Sequence, residues 1–401
     1  MKIIRDSIVI LLITIALLAI GEFSLRLVFP GKIEKDIDPS TLAFEYDPDT
    51  IIALKPNITR ESRNKDINGG ELITTKTNSL GYRGEEIGVK KGYRIVVYGD
   101  SNVQARFSKL ENTYPKQLER FLSKNIPGVQ VINGGLVGAG PDQSLLRFIK
   151  DVDTVKPDLM ILHVFADNDY GDLVRNRLFE LDQNGNLVRT KFKIKHDPQI
   201  SKKEPTFRNF INSLLLTRAM LQLFSKDENK LSRDEKIKIQ LNRLEKASAI
   251  EYLNYKKGGE MTVSHFADHY DIDIATDPDG ESAQTKIKLM RKILELAKAE
   301  TSKRNVRLLV VVEPASFDLI ENNTTIDRND LSKYKKYNFR NLTNPIKAIC
   351  ESDHLDCVHL IDGFLQNDPK TLYRKEDNHW SDLGQQVAAK ITAEYIVQHE
   401  L

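Results

Sequence analysis

Two cysteines in 401 residues cannot build a disulfide-rich scaffold or a four-thiolate zinc site. An excess of one charge is also missing. Lys+Arg 59 against Asp+Glu 57 leaves a formal charge of +2, which gives no electrostatic footprint for nucleic acid. There is no internal repeat and no low-complexity tract, so the chain is not a repeat array. What is present is ordinary for a folded protein: 40% hydrophobic and 29% charged residues argue against disorder. A length of 401 residues suggests about two to three domains, with enough chain for a sizeable core.

The N-terminus carries the long apolar run. Residues 7–21 read SIVILLITIALLAIG, preceded by Lys2 and Arg5. A membrane span needs about 20 apolar residues, and the run reaches that length only if Glu22 and Arg26 are tolerated. Those two stand at i,i+4 near the far interface, where they can pair and snorkel. Positive charge ahead of the run puts the N-terminus in the cytoplasm and residues 31–401 outside it. A single-pass anchor over residues 1–30 is the favoured reading. The alternative is a cleaved signal peptide, since Ala19-Ile20-Gly21 is a passable small-x-small site. An extracytoplasmic location permits a bridge between Cys350 and Cys357 across the loop they flank; two reduced buried thiols are the other reading.

Residues 31–90 are polar, with scattered Pro and Gly, and read as a linker running into a small β-rich or irregular collar. From residue 94 the pattern changes. Residues 94–98 (RIVVY) suit a buried parallel strand. A helix at 114–124, a strand at 129–132, a helix at 142–155 and a strand at 158–165 follow. Residues 171–280 break the rhythm and read as a mainly helical insertion. It holds a helix at 207–224 and a densely charged stretch at 226–246 with a solvated face. The alternation returns with a helix at 282–303, strands at 306–312 and 358–361, and a closing helix at 382–397. Strand, helix, strand, repeated, predicts an α/β sheet with right-handed crossovers over residues 91–401.

Three strand ends carry polar motifs. Gly99-Asp100-Ser101 puts a serine at the carboxyl edge of the sheet, where α/β ligand sites lie. If a helix starts there, unpaired N–H groups can face an oxyanion. Position 103 is Val, so this is not the α/β-hydrolase elbow. Asn133-Gly134-Gly135-Leu136-Val137-Gly138 ends the second strand, and Asp167-Asn168-Asp169 ends the third. Each alone reads as a turn or a cap; three on successive strands point to a site. Near the C-terminus stands Glu376-Asp377-Asn378-His379-Trp380-Ser381-Asp382. A serine hydroxyl needs a base, and the base needs an orienting carboxylate; this loop supplies both.

In this order the blocks resemble the SGNH/GDSL hydrolases. Asn78-Ser79-Leu80-Gly81-Tyr82-Arg83-Gly84 also resembles a stretch upstream of the serine in membrane-anchored bacterial members, and Glu111–Pro115 and Pro141-Asp142-Gln143 add to the likeness. The resemblance covers residues 78–170 and 282–397 and not the insertion. It implies a flavodoxin-like three-layer α/β/α sandwich with a parallel sheet. It implies Ser101 as nucleophile and His379 as base, with Gly138, Asn168 and the Ser101 N–H as the oxyanion hole. Many members place the acid three residues before the histidine, which here is Glu376. Asp377, two before it, is favoured, in an Asp-x-His-Trp arrangement similar to enzymes that acetylate exopolysaccharides. Glu376 is the alternative acid.

The expected activity is a serine-dependent esterase of the cell envelope acting through an acyl-enzyme on an acylated small molecule, carbohydrate or lipid. An O-acyltransferase, or a non-catalytic carbohydrate-binding or assembly protein on the same fold, are the alternatives. No cofactor, metal or nucleic acid is expected, and the membrane is met through the N-terminal helix. His265 and His269 have the i,i+4 spacing of a helical zinc pair, but Phe266 stands where the glutamate of that motif belongs. Asp268, Asp271 and Asp273 accompany them in what reads as a loop or the rim of an acceptor groove. His163 reads as a core histidine.

Overall fold

The structure is a computed structural model that describes residues 43–63, 69–190, 231–258, 268–375 and 377–401, with positions 6, 13, 17, 21, 22 and 24. The apolar run at 7–21 falls almost wholly outside the described residues, as do the helix expected at 207–224, His265 and Glu376. Among the described residues no helix is long and apolar enough to cross a membrane. The chain divides into two units, Met1–Leu42 with Ser201–Lys236, and Ala43–Ile200 with Ile237–Leu401. Of the first, scattered positions and residues 231–236 are described, the latter opening a helix at a Ser232–Glu235 box.

The second unit begins with two antiparallel hairpins, β1 (Phe44–Asp47) with β2 (Ile51–Leu54) and β3 (Thr59–Ser62) with β4 (Ile73–Lys76). Both hairpins fall within residues 31–90. Phe44, Ile51, Ile52, Leu54 and Tyr82 share one buried cluster with Val96 and Leu145 of the α/β region. The central sheet holds β5 (Arg94–Tyr98), β6 (Gln130–Asn133), β7 (Leu159–Phe165), β10 (Arg307–Glu313) and β11 (Asp356–His359), all parallel, in the order β11-β10-β7-β5-β6. Counted along the sheet from β6, the five strands run 2-1-3-4-5, the flavodoxin-like order. The switch point lies between β5 and β7, so a ligand site is expected at their carboxyl ends.

Between the strands come α1 (Ser101–Gln104), α2 (Tyr114–Leu122), α3 (Pro141–Val155), α4 (Asp169–Asn176), α5 (Arg233–Lys257), α6 (Glu281–Ser302), α7 (Asn344–Ser352), α8 (Leu360–Leu365) and α9 (Asp382–Gln398). Alternation along the strands feeds two cores. Val96, Met160, Leu162, Val310 and Val312 face α3, α6 and α7. Ile95, Val97, Ile161, Leu309 and Val311 face α2, α8 and α9. Each such buried side chain contributes roughly 1.5–3 kcal/mol, and burial on both faces is why β5, β7 and β10 read as unbroken apolar runs.

The fifth strand was expected at 358–361; it lies two residues earlier, and Leu360 and Ile361 open α8 with their side chains buried. In the insertion, α4 is followed by a hairpin of β8 (Phe179–Leu181) and β9 (Leu187–Arg189). In α5 the buried residues are Ile237, Ser248 and Glu251, so most of the charged stretch is a solvated face as expected. Cys350 at the end of α7 and Cys357 in β11 are joined by a disulfide, with Cα atoms 6.3 Å apart.

Candidate active site

The site is built at the β5/β7 switch point. Strand β5 ends in Gly99, where an added Cβ would stand 2.8 Å from His163 Cβ and 2.7 Å from Val103 Cγ2, so only glycine fits. Asp100 caps α1 by accepting the Asn102 N–H on Oδ1 at 2.9 Å. Ser101 is then the first residue of α1, half-buried, and its Oγ donates to Asp100 Oδ2 at 3.4 Å. Among the described residues no hydrogen bond joins Ser101 Oγ to His379. Its own N–H is one of the orphan donors of a helix start.

The second-strand loop is pinned beside this turn. Leu136 N donates to Gly99 O at 2.9 Å, and an added Cβ on Gly135 would fall 2.1 Å from Gln104 N. The loop therefore lies against α1, and buried Gly138 takes φ +68° two residues past Leu136. After β7, buried Asn168 caps α4, and its Oδ1 has no hydrogen-bond partner.

The histidine arrives from the loop before α9. Asp377 Oδ1 lies 2.5 Å from His379 Nδ1 and also accepts the His379 backbone N–H at 3.0 Å. That bond places the proton on Nδ1 and leaves Nε2 as the basic nitrogen. Burial alone pushes the Asp377 carboxyl up. The hydrogen bond and charge of His379, with Arg374 nearby, outweigh it and hold Asp377 below the usual carboxylate range.

Two bonds fix this loop to the strand ends. Asn378 Nδ2 donates to Asp167 Oδ2 at 3.2 Å, and Trp380 N donates to Asn102 Oδ1 at 2.8 Å. Gln385 Nε2 of α9 donates to Asn102 O at 2.9 Å. Ser101 and His379 are thus the immediate neighbours of two hydrogen-bonded residues. Trp380, the chain's single tryptophan, packs edge-on against Tyr114 and His163.

Beneath the serine the structure adds an acid that the sequence did not single out, Glu313 of β10. His163 is a core histidine as expected, with Nε2 3.2 Å from Glu313 Oε2 and Nδ1 4.0 Å from Asp100 Oδ1. Neither nitrogen is aligned for a hydrogen bond. Burial drives the imidazole down to about 3, so it is neutral. Burial, with Asp100, Asp167 and Asp169 nearby, pushes Glu313 well up, and Asn102 Nδ2 donates to it at 3.0 Å. Burial lifts Asp100 to about 6 against the pull of the Asn102 N–H. One ligand atom from each of Asp100, His163 and Glu313 lies within 4.8 Å of the other two, and all three residues are buried. His269 is likewise engaged, with Nε2 2.9 Å from Glu251 Oε1 and Nδ1 3.2 Å from Tyr270 O.

A cavity of about 660 Å³ adjoins the site. Its wall includes Asp167, His269, Tyr270, Phe317, Asp377 and Asn378; Ser101 and His379 are not part of it. The residues that sequence reasoning missed are Asn102, Phe107, Glu313 and Arg374. Glu313 had a weak signal, as a carboxylate closing an apolar strand before Pro314.

No family model and no curated protein matches this sequence. Solved structures similar to it include a lipase/acylhydrolase from Enterococcus faecalis, at 12% identity over 77% of this chain and 96% of that one, with a TM-score of 0.38. A catalytic mutant of the acetylxylan esterase Axe2 from Geobacillus stearothermophilus matches at 14% identity, over 77% of this chain and 96% of that one, with a TM-score of 0.37. A GDSL-like lipase from Bacteroides thetaiotaomicron matches at 14% identity, over 78% of this chain and 90% of that one, with a TM-score of 0.33. In the order of its blocks, and in the parallel sheet that carries them, this chain is similar to the SGNH/GDSL hydrolases.

Proposed function

We propose that this chain is a serine-dependent hydrolase of ester bonds that works through an acyl-enzyme. The observation that carries the reading is the Asp377–His379 pair at 2.5 Å, tied to the residue after Ser101 through Asn102 and Trp380. For attack, Ser101 Oγ leaves Asp100 and turns to His379 Nε2, which takes its proton as the oxygen adds to the ester carbonyl. Asp377 holds the Nδ1 proton and stabilises the imidazolium that forms. The Ser101 and Gly138 N–H groups and the Asn168 side-chain amide receive the charge on the carbonyl oxygen. His379 then returns the proton to the leaving alcohol. A second alcohol or water, deprotonated by the same nitrogen, attacks the acyl carbon, and His379 returns that proton to the departing Ser101 oxygen as the acyl group is released. Water makes the protein an esterase. A sugar hydroxyl in place of water would make it an O-acyltransferase.

The substrate we infer is an acyl ester on envelope carbohydrate or lipid, met outside the cytoplasm by a chain anchored through residues 1–30. The charge ahead of the apolar run supports that location, and so does the Cys350–Cys357 bridge, which persists in oxidising compartments. Hydrolysis of p-nitrophenyl acetate by the wild type and by Ser101→Ala tests the chemistry. Equal rates would remove Ser101 as nucleophile, and no turnover by either would favour a binding protein. A reporter active only outside the cytoplasm, fused after Leu401, tests the location and should be active.

A further inference from the structure

The Asn78–Gly84 stretch has no part in the chemistry above, yet it reaches the site. Asn78 Oδ1 accepts the N–H groups of Leu80 and Tyr82, each at 3.0 Å, folding the stretch into a turn. Gly81 takes φ +72° there, and an added Cβ would lie 2.4 Å from Leu54 O. The turn delivers Arg83, whose backbone N–H donates to Asn133 O at 3.2 Å and whose side chain is buried.

The Arg83 guanidinium grips the chain just beyond the nucleophile helix. Nη1 donates to Gln104 O at 2.5 Å and also to Ala105 O, and Nη2 donates to Ser108 O at 2.7 Å. Ala105 stands at φ +52°, a left-handed conformation that favours glycine, so the chain reverses there under constraint. From the other side Arg374, in the histidine loop, donates Nη2 to Phe107 O and Ser108 Oγ, both at 2.9 Å. Between these two arginines the Phe107 ring meets His379 edge-on, with centroids 5.3 Å apart and planes at 83°. Arg106 lies over the Phe107 ring, 4.5 Å from its centroid.

A buried cation is costly unless its donors are satisfied. Arg83 has no carboxylate within ion-pair distance among the described residues, and its Nε is buried without a partner; what Nη1 and Nη2 have is three carbonyls of one short loop. The fixed fork of a guanidinium can reach all of them, whereas an ammonium offers a single point.

We propose that Arg83 is a positioning residue for His379: it fixes residues 104–108 so that Phe107 holds the imidazole in the orientation set by Asp377. This rests on the reading of Ser101 and His379 as the catalytic pair.

The test uses the full-length chain with Arg83→Lys, Phe107→Ala and the double variant. Rates on p-nitrophenyl acetate are measured together with the His379 Nδ1–H proton resonance, which is identified by its loss in His379→Asn. Misplacement of a catalytic group costs about 10–10²-fold, so each single variant should lower kcat by that factor with KM within about twofold. The resonance should move in both. The double variant should be no slower than the slower single variant, because the two changes break one chain of contacts. A double variant whose loss is the product of the two single losses overturns the proposal, as does wild-type kcat in folded Arg83→Lys. If Arg83→Lys does not fold, Phe107→Ala decides: a lowered kcat with a shifted resonance supports the proposal, and wild-type values of both overturn it. If Ser101→Ala retains full activity, the catalytic reading has failed instead, and the resonance alone judges the clamp. A signal unmoved in both variants then overturns it.

Discussion

Asn102 Oδ1 accepts the backbone N–H of Trp380 at 2.8 Å, and its Nδ2 donates to Glu313 Oε1 at 3.0 Å. One buried amide therefore joins the residue after the proposed nucleophile to the residue after the proposed base, and both to the end of β10. Asn102→Ala strands the Trp380 N–H and the Glu313 carboxyl without partners. An unsatisfied buried group costs about 1–3 kcal/mol, and denaturant unfolding should show a loss of that order. kcat should fall further than KM changes, because the Ser101–His379 register loosens. Wild-type stability in Asn102→Ala would mean that Gln385 and the packing of Trp380 hold the register alone.

Asp377→Asn should lower kcat by about 10⁴, the cost of losing the carboxylate that holds the imidazole tautomer. Glu376→Gln should leave turnover near the wild-type value. The 2.5 Å contact between Asp377 Oδ1 and His379 Nδ1 is the ground for this ranking. The opposite order of the two variants in a steady-state assay would transfer the role to Glu376.

Asn168→Ala should reduce kcat by about 10²–10³ through loss of one oxyanion donor. Asn168 is buried at the cap of α4, and its backbone is held by the bond from Asp172 N to Asn168 O at 3.0 Å. The variant should therefore keep its fold, which circular dichroism checks. A raised KM with unchanged kcat would assign Asn168 to ground-state binding.

What could be read from the sequence were the features that local pattern encodes. Strands β5, β7 and β10 are buried on both faces and so appear as apolar runs, with Ser101 and Asn168 just past two of their ends. The Asp377–His379 pair was legible because both groups lie in one short loop. Strand β11 was misplaced because its apolar tail continues into α8, and a short apolar run does not distinguish strand from helix. Asn102 and Glu313 were not legible as site residues, since each meets a partner distant in the chain. Asn102 and Trp380 are 278 residues apart, and only the folded sheet makes them neighbours. His163 was read correctly as buried, but its acidic flanks come from the end of β5 and from β10, which no local pattern predicts.

The buried acids make stability depend on pH in an unusual sense. Burial raises Asp100 and Asp271 to about 6 and Asp142 and Asp318 to about 7. An unfolded aspartate titrates near 3.9. Between that value and 6–7 the folded chain holds protons that the unfolded chain has released, so these groups favour the folded state in acid and lose that contribution as pH rises. Burial of His163 to about 3 and of His359 to about 4 acts the other way, since unfolded histidine is protonated below about 6.5. These four carboxyls, with Asp167, Asp169 and Glu313 also pushed well up by burial, outweigh the two imidazoles, at about 1.4 kcal/mol per pH unit for each net proton. The Tm should therefore be higher near about pH 5.5 than near about pH 8, with the trend reversing below about pH 4 as Asp377, Asp47 and Glu251, all held below the usual range, become protonated. Asp142→Asn isolates one contributor. Asp142 Oδ1 accepts the Gln143 N–H, while Oδ2 is buried without a partner. The neutral amide mimics the protonated acid, so this variant should match wild type only below about pH 4, be more stable than it already near about pH 5.5 and more so near about pH 8, and flatten the slope between them. Thermal unfolding at the two pH values decides it: a wild type that is more stable at the higher pH would mean that these acids are ionised in the folded protein.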